Sequence, residues 1–373
     1  MRIGINASCL EGERKGEGRY LSNLLREWLS EPGHDEFILY LRSNAQTDAF
    51  LQVSNVKQVV VSSPFRRRMQ PGWEHIFLPW RAWRDKIDLF FSPSYTLPVI
   101  SPFKTAVTQH DISYEALPQD YRWKEKIRLN LFSRRSAKQS DVILAVSEFT
   151  KAEIVKYYTV SEGKIVVTHE DCDSQFYPII DESLLTEFKK GNRLVGHHIL
   201  FVGTMLKRRR LNSLLDAFTI VAQRISEVQF VLVGSPESVQ SEELRRLMSH
   251  HSFRDRILRF EYVSDEDLNL LYNTAAVLVY PSVYEGFGLP VLEAMRCGTP
   301  VIVSNCASLP EVVGDAGVFA NPDDPKDIAD KICKVLTDPI WREDLSDRAL
   351  RQSAKFSWAR CARETREAFC RAT

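Results

Sequence analysis

At 373 residues the chain exceeds what one hydrophobic core usually serves, which points to two domains of ordinary size. Apolar residues make up 44% and charged residues 26%, a globular composition, and 49 basic against 49 acidic residues leave no formal charge for bulk capture of nucleic acid. Seven cysteines (9, 172, 297, 306, 333, 361 and 370) form no Cys-x-x-Cys pair and fit core positions in a cytoplasmic protein, while no run approaches the ~20 apolar residues of a spanning helix.

The chain enters a strand at Ile3–Asn6 with no apolar signal segment ahead of it. Short apolar runs follow at Phe37–Leu41, Val56–Val61, Ile87–Phe91, Ala106–Thr108, Val142–Val146 and Ile165–Thr168. The stretch from Pro178 to Arg193 is polar and charged, without a strand signal, and the interdomain connection is expected there. A second series runs through Ile199–Val202, Phe230–Val233, Ile257–Tyr262, Val277–Tyr280, Val301–Val303 and Val318–Ala320. Continuous apolar runs suit strands covered on both faces, and their alternation with helical patterns predicts parallel, doubly wound sheets. A final helix, about 357–373, keeps apolar spacing at Trp358, Cys361, Thr365 and Phe369 and so needs a surface to pack on. The expectation is an α/β protein of two Rossmann-like domains, 1–178 with the C-terminal helix packed back on it, and 193–356, facing across a ligand-holding cleft.

Chemistry concentrates in Glu285-Gly-Phe-Gly-Leu-Pro-Val-Leu-Glu293, which follows the Val277–Tyr280 strand. Gly286 and Gly288 let backbone N–H groups approach an anion, and a helix starting near Pro290 points its positive end at the same place. Glu285 and Glu293 add acceptors for hydroxyl groups, as a sugar on one side and a ribose on the other would need. A basic run, Lys207-Arg-Arg-Arg210, follows the strand that ends at Gly203; it reads either as a solvated patch or as a phosphate contact made by two of its members. Near the N-terminus Gly16 and Gly18 predict a flexible loop before a Tyr20–Trp28 helix. Leu21 stands where a dinucleotide fingerprint needs its third glycine, so a nicotinamide cofactor is disfavoured.

Taken in order, these segments resemble the retaining glycosyltransferases of family 4, with the GT-B fold and a Glu-x7-Glu signature. The resemblance rests on Lys15-Gly-Glu-Gly-Arg-Tyr20, Gln109-His-Asp111, Ala145-Val-Ser-Glu-Phe149, Phe201-Val-Gly-Thr204 with Arg208-Arg209, and Tyr262-Val-Ser-Asp265. It continues through Pro281–Pro290, Gly298-Thr-Pro-Val301 and Ser308-Leu-Pro-Glu311, and so covers essentially the whole chain. It implies transfer of a hexose from a nucleotide-diphosphate sugar to a glycan or lipid-linked acceptor, with no cofactor or metal and a front-face route. Arg208 and Arg209, which in the family is commonly lysine, would then face the diphosphate. Glu285 and His110 would orient the sugar, and Glu293 would accept from the ribose. Gly16, Gly18, Gly203 and Thr204 would line the donor site, backbone N–H groups of Gly286, Phe287, Gly288 and Leu289 would hold the phosphates, and Val263 would meet the base. The Gly-x-Gly-Arg-Tyr, His-Asp and Gly-Thr combination looks most like mannosyltransferases that use GDP-mannose, with UDP-hexoses left open. A nucleotide-sugar epimerase and a non-catalytic sugar-nucleotide-binding protein are the other classes.

Two features stand apart from this reading. Asp171-Cys-Asp173 has the form of a metal-binding Asp-x-Asp, but it lies where the family has Glu-Gly-Val-Asp and is read as coincidence, with Asp171 at a usual glycine. Residues 65–84 and 122–138 interleave aromatic and basic side chains, either as ordinary helical faces with exposed arginines or as a peripheral contact with anionic lipid at the inner face of a membrane.

Overall fold

The computed structural model describes residues 1–12, 16–30, 33–43, 48–62, 72–234 and 241–373, so Lys15 and residues 65–71 of the aromatic and basic segment lie outside the described residues. The chain divides into two units, Met1–Glu170 with Ser357–Thr373, and Asp171–Phe356.

The first unit is built on β1 (Arg2–Asn6), β2 (Glu36–Leu41), β3 (Val56–Val60), β4 (Leu89–Ser92), β5 (Lys104–Gln109), β6 (Val142–Ala145) and β7 (Ile165–Val167). They form one parallel sheet in the order β3-β2-β1-β4-β5-β6-β7. Both faces of this sheet are covered, which is why its strands read as continuous apolar runs. Phe37, Leu39 and Leu41 enter one apolar cluster while Ile38 and Tyr40 enter the other, the period-two alternation of a strand buried on both sides. Gly4 in β1 is required by packing, since a Cβ there would sit 2.8 Å from Ile87 Cδ1 and 2.9 Å from Tyr40 Cε2.

The C-terminal helix, Trp358–Ala372, completes the first of those clusters. Ser357 caps it by accepting from the N–H of Arg360, and Trp358, Cys361, Thr365 and Phe369 are all buried. Trp28 Nε1 donates to the carbonyl of Ala362 at 2.9 Å, and Phe369 lies between Trp28 and Phe91, with ring centroids at 5.9 and 5.1 Å. The spacing that demanded an apolar partner thus finds it on the N-terminal unit.

In the second unit β8 (His197–Val202), β9 (Val228–Val233), β10 (Ile257–Phe260), β11 (Val277–Tyr280), β12 (Val301–Ser304) and β13 (Val318–Ala320) make a parallel sheet ordered β10-β9-β8-β11-β12-β13. β10 ends at Phe260, short of the expected Tyr262, which is 81% exposed. The division between units falls at Glu170/Asp171, ahead of the Pro178–Arg193 stretch in which the connection was expected. That stretch holds a helix, Glu182–Gly191, capped by Asp181 and carrying no buried residue, so its polar composition marks an exposed helix. In each sheet the strand order reverses once, between β1 and β4 and between β8 and β11, and doubly wound sheets bind ligands beyond the carboxyl ends of the strands at such points.

Truncating Phe369 to alanine removes the aromatic centre of this helix contact and is expected to destabilise the protein by about 3–5 kcal/mol in urea unfolding. Ser357→Ala, which removes only a cap, is expected to cost about 1 kcal/mol. Equal, small losses for both variants would place the helix off the core.

Candidate functional site

The loops after β8 and β11 meet at the reversal point of the second sheet. The first leaves β8 through Gly203, whose φ of 137° and lack of a Cβ are both needed: a side-chain carbon there would run into the Arg209 guanidinium. It then makes a 3₁₀ turn, Lys207–Arg209, closed by Arg210 in the left-handed region. The second loop is held to it by Val283, whose N–H donates to the carbonyl of Arg208 at 2.8 Å.

Between them Arg209 Nε donates to Glu285 Oε1 at 2.9 Å, and Arg209 Nη1 donates to the carbonyl of Thr204 at 2.9 Å. The same carboxylate oxygen accepts from the hydroxyls of Tyr280 and Ser282, each at 3.0 Å. The guanidinium also lies over the Tyr280 ring, 5.5 Å from its centroid. Glu285 is buried, which alone would raise its carboxyl; Arg209, Arg208 and these hydrogen bonds outweigh that and hold it below the usual carboxylate range. Arg210 turns away to an ion pair with Asp323 at 2.7 Å.

The glycine turn that follows is fixed from behind. Ser308 Oγ lies 2.9 Å from the carbonyl of Glu285 and 2.8 Å from that of Phe287, and Phe287 packs edge-on against Phe356 at 5.6 Å. Gly288 has φ 110° and its absent Cβ would sit 2.9 Å from Leu309 Cδ2. It opens the helix Leu289–Arg296, with Pro290 in the first turn as expected. Glu293, one turn further on, is buried and accepts from Tyr272 Oη at 2.7 Å. Gly286 belongs to the same turn. Val263 stands elsewhere: half-buried, it follows the edge strand β10, with β9 between that strand and β8.

The first unit has a polar cluster of its own beyond β4 and β5. His110 Nε2 lies 2.8 Å from the carbonyl of Pro93 and Nδ1 lies 3.0 Å from Glu170 Oε1, with Tyr20 and Tyr95 against the ring at 4.9 and 5.9 Å. Burial pushes the imidazole down, but the Glu170 bond and charge, with Glu17, raise it to about 9. The ring is therefore an imidazolium at neutral pH, donating from both nitrogens. A sugar hydroxyl could claim an N–H only by displacing one of these two acceptors. Gly16 and Gly18 are not in a loop: both are helical, in the first turn of Gly16–Ser30, because neither needs a positive φ there. Glu17 lies between them, its carboxyl raised by burial against the pull of His110 and a bond with Ser94.

Asp171 is engaged by Arg296, whose Nη2 donates to its Oδ1 at 2.6 Å and also reaches the carbonyl of Ser353 at 3.0 Å. Its φ is negative, so the aspartate fits where a glycine was expected. Among the described residues no three His, Cys, Asp or Glu side chains gather as metal ligands would. Glu17, Glu170, Tyr272, Tyr280, Ser282 and Ser308 are not singled out by sequence pattern; Glu17, Ser282 and Ser308 lie inside the family motifs, but nothing in a motif says which partner a polar side chain will meet.

The imidazolium of His110 stabilises the fold fully below the ordinary histidine value near 6.5, and that contribution, up to about 3 kcal/mol, is lost as the pH rises through about 9. Ring ¹⁵N shifts are expected to show native His110 doubly protonated at pH 7.5 and Glu170→Gln to lower its titration midpoint. A neutral ring in the native protein at that pH would contradict the assignment.

Residues 15–170 match the family described as Glycosyltransferase Family 4, and residues 186–352 match Glycosyl transferases group 1. An Escherichia coli O-antigen chain mannosyltransferase B is 36% identical over 294 residues, covering 78% of this chain and 76% of that protein. The E. coli serotype-specific mannosyltransferase WbdA is 31% identical over 288 residues, 75% of this chain but 35% of that protein, so the chain spans about a third of its length. Among solved structures, sucrose-phosphate synthase from Thermosynechococcus elongatus superposes with a TM-score of 0.76 at 19% identity, over 99% of this chain and 98% of that one. Anabaena HepE in complex with UDP-glucose gives a TM-score of 0.77 at 16% identity over 100% of both. Both halves match in order and a relative above 30% identity is covered over three quarters of its length, so the chain belongs to the family 4, group 1 glycosyltransferases and has their GT-B fold.

Proposed function

We propose that this glycosyltransferase moves a mannosyl group from GDP-mannose to a hydroxyl of a glycan or lipid-linked acceptor, with retention of configuration and without a metal ion. The observation that carries the reading is the Arg208, Arg209 and Glu285 group at the β8/β11 reversal point, beside the helix that starts at Leu289. Mannose is supported by the names of the relatives, O-antigen chain mannosyltransferase B and the serotype-specific mannosyltransferase WbdA.

Breaking the sugar–phosphate bond places negative charge on the departing diphosphate, and a preorganised positive site lowers that barrier most. Arg209 has its charge matched by Glu285, and both Nη2 donors lie outside the bonds to Glu285 and Thr204. Arg208 adds a second cation within electrostatic reach of the same carboxylate, so the three groups together carry one net positive charge. Backbone N–H groups at Phe287, Gly288 and Leu289 complete the phosphate site in this reading. Glu285 orients the sugar with Oε1 anchored by its three donors, and Glu293, braced by Tyr272, accepts from the ribose. The acceptor hydroxyl then attacks on the leaving-group side and passes its proton to the departing phosphate, so that positioning and electrostatics do most of the catalytic work. His110, held as an imidazolium by Glu170, is read as a sugar-orienting group and not as a general base.

Arg208→Ala and Glu285→Ala are expected to lower turnover at least ~100-fold in variants that remain folded. Near-normal transfer by either would overturn the site. In a thermal-shift series GDP-mannose is expected to stabilise the protein more than UDP-sugars do; stabilisation by a UDP-sugar alone would replace the donor. Transfer is expected to survive a chelator, and loss restored by manganese would contradict the metal-free route.

A further inference from the structure

The two segments that interleave aromatic and basic residues belong to one unit and adjoin each other. A π-helical turn, Trp73–Phe77, runs into the helix Leu78–Arg84, and a longer helix spans Trp123–Gln139. His75 of the first stacks on Phe132 of the second, with ring centroids at 4.7 Å. Beside His75 an apolar groove of about 570 Å³ is lined by Ile76, Trp80, Trp83 and Ile100, which are 56–72% exposed.

The longer helix carries a matching stripe. Trp123, Ile127 and Leu131, at i, i+4 and i+8, are 56–67% exposed. At 100° per residue Lys124, Arg128 and Arg135 fall between this stripe and Phe132, the residue that stacks on the groove. A basic ridge is thus flanked by two exposed apolar strips. This helix has six basic residues and one acidic, in a chain whose formal charge is zero. Lys124, Lys126, Arg128 and Lys138 enter no salt bridge among the described residues, and Arg84 and Lys124 lie over Trp80 and Trp123, 4.9 and 5.4 Å from the ring centroids.

We propose that this face of the N-terminal unit docks on an anionic lipid bilayer, its tryptophans and aliphatic side chains entering the headgroup boundary while the lysines and arginines meet lipid phosphates. A bilayer offers apolar depth and negative charge in one surface, which is the combination displayed here. A second copy of the chain fits poorly, because a two-fold contact through this face would set the same cations against each other. No helix of the described residues is long and apolar enough to cross a membrane, so the contact is peripheral.

The test is co-sedimentation of the whole chain with vesicles, without donor or acceptor, so that its result is independent of the donor-site reading. At physiological salt the protein is expected to bind vesicles containing phosphatidylglycerol and not vesicles of phosphatidylcholine alone. Lys124→Glu with Arg128→Glu is expected to weaken binding at least about 25-fold, since each basic residue near such a surface contributes about fivefold and the introduced carboxylates add repulsion. Ile127→Ser with Leu131→Ser is expected to weaken it as well, with unchanged thermal unfolding in both variants. The proposal fails if phosphatidylglycerol vesicles are not bound at physiological salt, if the two vesicle types bind equally, or if the variants bind like the native chain. It also fails if light scattering shows a dimer that the same substitutions dissolve.

Discussion

The ion pair between Arg209 and Glu285 is the constraint around which the second unit's polar site is arranged. Both charges are largely enclosed, and a buried pair holds only where geometry and further hydrogen bonds offset the loss of water. Those bonds are present: Glu285 Oε1 has three donors, and Arg209 has a second acceptor in the Thr204 carbonyl. Removing either partner would strand the other, at a cost of several kcal/mol. The pair therefore locks the loop after β8 to the loop after β11, and the Val283–Arg208 backbone bond sets their register. Gly203 follows from the same contact, because the guanidinium occupies the space its Cβ would need.

The first unit solves a similar problem in a different way. His110 sits at the end of β5 with one nitrogen against a backbone carbonyl and the other against Glu170, so its charge is set by a fixed acceptor pair. Glu17 contributes a second negative group from the first turn of Gly16–Ser30, and its own carboxyl is raised because burial outweighs the attraction of His110. Each unit thus places one enclosed cation, with a carboxylate partner, next to the point where its strand order reverses. In the second unit the cation's partner is itself the residue read as sugar-facing, whereas in the first the partner lies two strands further on, just past β7.

Much of this architecture was legible in the sequence because parallel strands covered on both faces leave uninterrupted apolar runs, and each of the runs named overlaps a strand, with ends that differ by one or two residues in places. The Glu285–Glu293 turn was legible for a local reason: its glycines, proline and strand-to-helix position are all short-range features, and φ 110° at Gly288 follows from them. Glu170 was not, because its meeting with His110 spans 60 residues and depends on β5, β6 and β7 lying side by side. Gly16 and Gly18 suggested a loop because glycine permits one, yet permission is not requirement, and both are accommodated in a helix. The Pro178–Arg193 stretch suggested a connection for want of a strand signal. That surface helix has only ten residues and three apolar ones, Leu184, Leu185 and Phe188, of which none is fully buried, so its period is too short to stand out from the polar run around it.

The basic run at 207–210 shows how structure resolves what spacing leaves open. Four adjacent cations could serve a phosphate in several registers, and residue type alone does not choose among them. Their partners differ: Arg210 is turned to Asp323 and Arg209 to Glu285, while the carbonyl of Arg208 is tied to Val283 so that its side chain issues from a fixed point of the loop. Both Arg208 and Arg209 draw the Glu285 carboxyl down, so the charge at this site belongs to the cluster and not to either arginine. A lysine at 209 would keep the charge but lose the two-armed link from Nε to Glu285 and from Nη1 to Thr204, because a single ammonium cannot span both acceptors in a fixed plane. The arginine at this position is therefore a structural tie as well as a cation, and it joins the phosphate-facing loop to the carboxylate that would face the sugar.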